Sequence, residues 1–383
     1  MWPGHVCAAT IGRPGGDTTR AFNLSLGELP VHARLSRSIL AAALCALAAS
    51  TTAAQTPQAP PPPQISVGVL AYAQYLYQLK DTTNHINNFD VKRAYVNVIG
   101  RFAGGVYARV TADIYVPSAT DSSHTYRIKY AYVQYTPNGS PLSFKIGEIH
   151  TPWLDWEEAL WDYRVQGTMA MERNGPGGLG GNSYLSSAGF GAGVDGKWGP
   201  DKVNMQFTVT NDHFYSQSVG DQRKWAQARV SVRAMDTDDS SRVGGLRVTG
   251  FADYGNTIGG GPHQRWLGMV SYRTKQITLA GEGAISRDPG AGGSRLNGHV
   301  YSAFGVYKIP QSKAAILARV DIFHQQAGST TDKQTRFIGG VSYQISPNLR
   351  VLGDWDYVSY QGTPSATQEA TRSQALFQTQ FNF

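Results

Sequence analysis

From Ile65 onward, apolar and polar positions alternate with a period of two, in runs of about ten residues broken by Gly, Pro, Asn and Ser. In one run Val106, Ala108, Val110, Ala112 and Ile114 form one face, and Tyr107, Arg109, Thr111 and Asp113 form the other. The final run, Gln374 to Phe383, sets aromatic or small residues against Gln and Asn and closes on an aromatic terminus. Such strands have one face in lipid and one in water. Sixteen can be drawn, starting near Ile65, Phe89, Val106, Thr125, Leu142, Ser187, Lys202, Lys224, Val243, Arg265, Gln276, Gly298, Ala314, Gln334, Leu349 and Thr371. Tight joins such as Ala103 to Gly105, Gly199 to Asp201 and Pro347-Asn348 alternate with longer polar stretches, Pro117 to His124, Asn256 to Gln264 and Pro289 to Asn297. An even number lets the first strand pair with the last and leaves no open edge. The pattern therefore predicts an all-β fold: a 16-stranded antiparallel transmembrane β-barrel, wide enough for an aqueous channel.

The amino end reads differently. Arg34 and Arg37 precede an apolar run, Ile39 to Ala49, and then small residues up to Ala54. This spacing predicts a signal peptide region over 1–54, cleaved after Ala54, and a true start near Val31 that leaves 1–30 as a mis-called start. Residues 55–64, with Pro57 and Pro60 to Pro63, read as a Pro-rich periplasmic leader, and 65–383 as the β-barrel domain. Both cysteines, Cys7 and Cys45, precede the cleavage point, so no thiol chemistry is expected in the mature chain. No later stretch approaches the ~18 apolar residues of a helical span.

The formal charge of +7 falls to about +5 without residues 1–54, and the bases are spread one or two per strand, so no nucleic-acid partner is expected. A lone charge on the lipid face costs ~2–4 kcal/mol near mid-membrane, so the bases turn inward. Arg93, Arg109, Lys145, Arg229, Arg233, Arg247, Arg319 and Arg350 are the expected pore-lining bases, and Asp253, Glu282, Asp321, Asp354 and Asp356 share their faces. A basic waist favours anions; pairing of these bases with acids across strands would cancel the preference.

One connection, Thr151 to Ser186, is far longer than its peers and dense in aromatics and charges, with Arg173 and Gly175 to Gly181 in its second half. Loops of this length are commonly functional. It is expected to fold inward as a constriction loop bearing Asp155, Glu157, Glu158, Asp162 and Arg164; the other reading makes it an external lid or subunit contact.

Catalytic chemistry is nearly absent. Gly191 to Gly196 has the spacing of a dinucleotide loop, but the run sits in a strand pattern. Asp236, Asp238 and Asp239 lack the Gly and Glu of a calcium loop. The nine histidines show no metal-ligand spacing, so neither metal nor cofactor is expected, and no Gly-x-Ser-x-Gly elbow occurs. The expectation is not an enzyme; a barrel enzyme or an adhesin or structural barrel is the alternative.

Phe89 to Tyr95, Lys129 to Tyr135 and Phe144 to Trp153 resemble the opening strands of the phosphate-selective porin O and P family. The resemblance spans the mature chain in layout and is motif-level over about residues 88–160. It implies a homotrimeric diffusion porin of the bacterial outer membrane. Phosphate channels of that kind carry a cluster of lysines at the constriction, whereas the long loop here is acidic and has no lysine. The expected function is passive diffusion of small hydrophilic solutes with a weak preference for anions, phosphate or other oxyanions. The expected partners are those solutes, outer-membrane lipid, and the barrel assembly machinery acting through the strand that ends at Phe383.

Overall fold

The computed structural model of the chain describes residues 61–115, 123–172, 184–211, 215, 222–257, 261–289 and 293–383. The expected signal region, most of the expected Pro-rich leader, Arg173 and Gly175 to Gly181 lie outside them. Sixteen strands follow in order: β1 (Gln64–Gln78), β2 (Asn87–Phe102), β3 (Val106–Tyr115), β4 (Thr125–Tyr135), β5 (Leu142–His150), β6 (Ala188–Trp198), β7 (Val203–Asn211) and β8 (Lys224–Met235). They continue as β9 (Gly245–Thr257), β10 (Gly261–Arg273), β11 (Ile277–Pro289), β12 (Arg295–Lys308), β13 (Ala314–His324), β14 (Gln334–Ser346), β15 (Leu349–Tyr360) and β16 (Ser373–Asn382). Each pairs antiparallel with the next and β16 returns to β1, giving a closed barrel. Closure runs from Leu70 opposite Asn382 to Gln78 opposite Gln374. The terminal residue seals the seam: the N–H of Val69 donates to Phe383 O at 2.9 Å, and the N–H of Phe383 donates to Val69 O at 3.1 Å.

The outer face is the apolar one. Val110, Ile146, Val248, Leu279, Val341 and Phe377 stand exposed there, with Trp198, Trp266, Tyr301 and Trp355 among them. The inner face departs from the simple expectation of a polar wall. Along β9 to β15 it carries Phe251, Leu267, Met269, Val300, Phe304, Leu317, Ile338 and Leu352, all buried. These residues have no lipid to meet, so something inside the barrel must cover them.

Two breaks in the period of two matter for the interior. Tyr72 faces Arg93 and Ala73 faces Val91, which leaves Lys92 as an extra residue in β2. In the same way Thr111 faces Tyr130 and Ala112 faces Ile128, leaving Lys129 extra in β4. A β-bulge of this kind sets two successive side chains on one side of the sheet. Lys92 with Arg93, and Lys129 with Tyr130, thus all project inward.

Two of the expected long loops are shorter than the sequence pattern implied. Pairing continues through Asn256 opposite Pro262, and through Pro289 opposite Arg295. Paired strands prolong themselves wherever both chains can keep exchanging backbone hydrogen bonds. A helix, α1 (Pro152–Trp161), follows β5, and a short helix, α2 (Ala366–Thr371), precedes β16 and is capped reciprocally by Ser365 and Gln368. Gly191, part of the dinucleotide-like run, lies in β6, where an added Cβ would collide with the backbone carbonyl of Val209 on β7.

Gly191→Val is expected to cost about 1–3 kcal/mol through this overpacking, read as a lower urea midpoint of the folded barrel in detergent. Gly250→Ala, where an added Cβ meets nothing within 4 Å, is expected to stay within about 0.5 kcal/mol.

Candidate functional site: a constriction inside the barrel

The chain leaves β5 at His150 and enters α1 (Pro152–Trp161) instead of turning outward. Pro152 occupies the first turn, where its missing N–H is no loss, and Asp155 favours the positive helix end. The helix stops at Asp162, held at a left-handed φ of 59° with its N–H donating to Glu158 O. Trp153, Leu154, Trp156, Glu157, Leu160 and Trp161 are buried along one side, and Asp155, Glu158, Ala159 and Asp162 lie on the other at helical spacing. The buried side is what covers the apolar wall. Trp153 packs on Phe251 with centroids 5.7 Å apart, and Trp161 meets Phe304 edge-on at 5.1 Å. Met169, Met171 and Leu185 continue the seal.

Bases of the wall fasten this loop by its backbone carbonyls. Arg229 donates to Pro152 O at 3.0 Å and stacks over Trp156. Arg242 reaches the Asp155 carboxylate and carbonyl, both at 2.6 Å. Arg273 donates to Ala159 O at 2.7 Å and Leu160 O at 3.3 Å, where the helix ends and leaves carbonyls without partners. Arg350 donates to Asp162 O, Arg319 to Thr168 O, and Lys92 to Gln166 O. Because Arg242, Arg273 and Arg350 belong to short turns or adjoining strand ends, α1 is lodged toward the short-turn end of the lumen.

What stays open is a cavity of about 330 Å³ between the acidic side of α1 and the wall of β1 to β4. Asp155, Glu158, Asp162, Arg164 and Arg242 line it from the loop side, and Tyr72, Tyr95, Asn97, Arg109, Lys129 and Tyr130 from the wall. Each acid facing it already has a base: Asp155 has Arg242 (2.6 Å), Glu158 has Arg164 (2.8 Å), and Asp162 has Arg350 (3.3 Å). Burial alone would raise the Asp155 carboxyl, but Arg242 holds it well below the usual carboxylate range. Arg109 and Lys129 differ. Arg109 donates to Thr111, to Asn97 at 2.7 Å and toward His150, and lies over the Tyr130 ring. Lys129 donates to the Tyr95 hydroxyl at 3.2 Å. Among the described residues neither has an acidic partner within salt-bridge distance.

The structure separates the eight bases singled out in the sequence. Arg109 borders the opening. Arg229, Arg247 and Arg319 are sealed beneath the loop or at the turn end, at 2%, 0% and 3% exposure. Arg93 and Arg127 share Asp113, Lys145 pairs with Asp195, Arg233 with Asp236, Arg247 with Asp201, and Arg319 with Asp321. In the loop, Asp155, Glu158, Asp162 and Arg164 face the opening, while Glu157 points at the wall and is fully buried. The sequence reading missed Lys129 and Arg242. Arg242 sat in a presumed turn, and only the bulge brings Lys129 inside. Among the described residues no group of His, Cys, Asp and Glu is arranged to hold a metal.

Arg273→Ala is expected to free the carbonyls at the end of α1 at a cost of about 1.5–3 kcal/mol, the range of a charge-assisted hydrogen bond. Hydrogen exchange of the α1 amides relative to the strands checks this: faster exchange confined to α1 is the expected result.

No family model matches the chain, and no curated protein matches it in sequence. Solved structures do. OmpF of Salmonella typhi, in complex with daunomycin, superposes with a TM-score of 0.62 at 11% identity, over 83% of this chain and 97% of that one. The anion-selective porin from Comamonas acidovorans gives 0.60 at 12%, over 84% and 100%. The trimer form of OmpT of Vibrio cholerae gives 0.59 at 11%, over 84% and 100%. At such identities the likeness concerns architecture, and the architecture is that of outer-membrane porins.

Proposed function

We propose that the protein is a passive diffusion channel of the bacterial outer membrane, admitting small hydrophilic solutes with a weak preference for anions. The observation that carries this reading is the narrowed opening at α1. Its acids are each paired, whereas Arg109 and Lys129 on the opposite wall have no acidic partner among the described residues. Four bases against three acids line it, an excess that raises the local concentration of anions modestly. The apolar exterior fits a bilayer. The architecture shared with an anion-selective porin supports the same preference. Resemblance to the phosphate-selective porin O and P family makes phosphate and other oxyanions reasonable solutes, but the acid stripe on α1 argues against strict phosphate selectivity. A homotrimer, inserted through β16 by the barrel assembly machinery, accords with the trimeric architecture of a neighbour and with the aromatic terminus at Phe383.

Planar-bilayer recording in a salt gradient tests the proposal. The reversal potential is expected to carry the sign of a modest anion preference. The double variant Arg109→Gln, Lys129→Gln is expected to abolish or invert that sign, since each charge about 4 Å from a passing ion is worth ~1 kcal/mol in a water-like medium. Arg319→Gln, buried beneath the loop, is expected to leave the sign unchanged. A cation preference in the parent protein would refute the selectivity, and absence of ion current from correctly inserted protein would refute the channel.

A further inference from the structure

Glu157 is the one acid on the buried side of α1, with no exposed surface, and it reaches Glu282 on β11. Glu282 is 6% exposed, and the two carboxyl groups lie within hydrogen-bonding reach of each other. Among the described residues no N–H reaches their four oxygens, and the hydroxyl beside Glu282 is that of Ser302, across the strand from it. The charged groups beside them are Arg319 and Asp321 on β13, and these engage one another at 2.8 and 2.7 Å. Arg229, Arg242 and Arg247, from β8, the turn and β9, gather instead on the Trp156 ring. Arg319, the cation that acts on both carboxyls, is thus already shared with Asp321 and cannot neutralise two further carboxylates in this buried pocket.

Two ionised carboxyl groups in contact, cut off from water, repel strongly, and each loses its hydration without compensation. One proton between them removes a charge and supplies the missing donor. We propose that Glu157 and Glu282 share a proton and that this acid pair latches the constriction loop to the barrel wall, so that rising pH loosens the constriction. Burial, and then the facing Glu282, push the Glu157 carboxyl well above the ordinary carboxylate range. The sign follows: the docked loop keeps a proton that an undocked loop would release at an ordinary carboxyl value near 4.3. Docking is thus tightest in acid and weakens as pH rises above that value. Asp155, which faces the opening, is held well below the usual carboxylate range by Arg242 and stays ionised throughout.

The latch goes beyond the channel reading, but its effect on current rests on it, so the test has two arms. Infrared difference spectroscopy of the folded barrel between about pH 6 and 9 needs no channel activity. A protonated-carboxyl C=O band is expected to disappear as pH rises, and to be absent throughout in the variant Glu157→Gln, Glu282→Gln, which keeps the shape and a hydrogen bond without a titrating group. Over the same range, open-channel current noise is expected to rise in the parent and to stay flat in the double variant. Should the double variant not fold, Glu282→Gln alone serves, with the band lost or moved. No such band in the parent, or the same band and the same noise profile in parent and variant, overturns the proposal. Absence of current alone would refute the channel and leave the infrared arm to decide the latch.

Discussion

In a bilayer an unpaired N–H or C=O has no water to turn to, and each one left in hydrocarbon costs several kcal/mol. Every feature of this molecule follows from that requirement. The sheet must close, and it closes through β1 and β16 with the terminal Phe383 completing the seam. Closure then divides the strand side chains into an outer and an inner population.

A barrel of this width does not fill itself, and an inner wall that is apolar over β9 to β15 would be unstable against water. The long loop resolves this by bringing its own tryptophans inside, so the constriction and the interior core are the same object. The loop's position is set by burial of Trp153, Trp156, Leu160 and Trp161. Its orientation is set by arginines that end on backbone carbonyls. The guanidinium suits this task because it stays charged and reaches several acceptors at once. Bases that look like a selectivity belt in the sequence are thus divided between fastening the loop, closing ion pairs with neighbours and, for Arg109, facing the opening, where Lys129 joins it.

The amphipathic character of α1 links the two roles. Its apolar side fixes the helix to one wall, and by doing so it presents Asp155, Glu158 and Asp162 to the other. The remaining cavity is aromatic on the wall side and charged on both. The single acid on the wrong side of the helix, Glu157, breaks the pattern, and it faces another acid, Glu282.

Strand number, order and starts were legible in the chain itself, because alternation and turn chemistry are local and a closed sheet repeats them sixteen times. The starts of β3, β4, β5, β8, β13, β14 and β15 fall on the residues that the pattern marks, and the others lie within a few. Which face each strand residue takes was also legible wherever the period of two held, Arg109 and Arg319 included. Tertiary structure decided the rest. Lys92 and Lys129 come inside only because a neighbouring strand forces a bulge, and a bulge depends on the register of two chains. Whether an inward arginine meets water, an acid or a carbonyl depends on where a loop far along the sequence comes to rest. That position is fixed by apolar contacts between α1 and strands β9 to β13, separated from it by as many as 160 residues, and no local pattern encodes it.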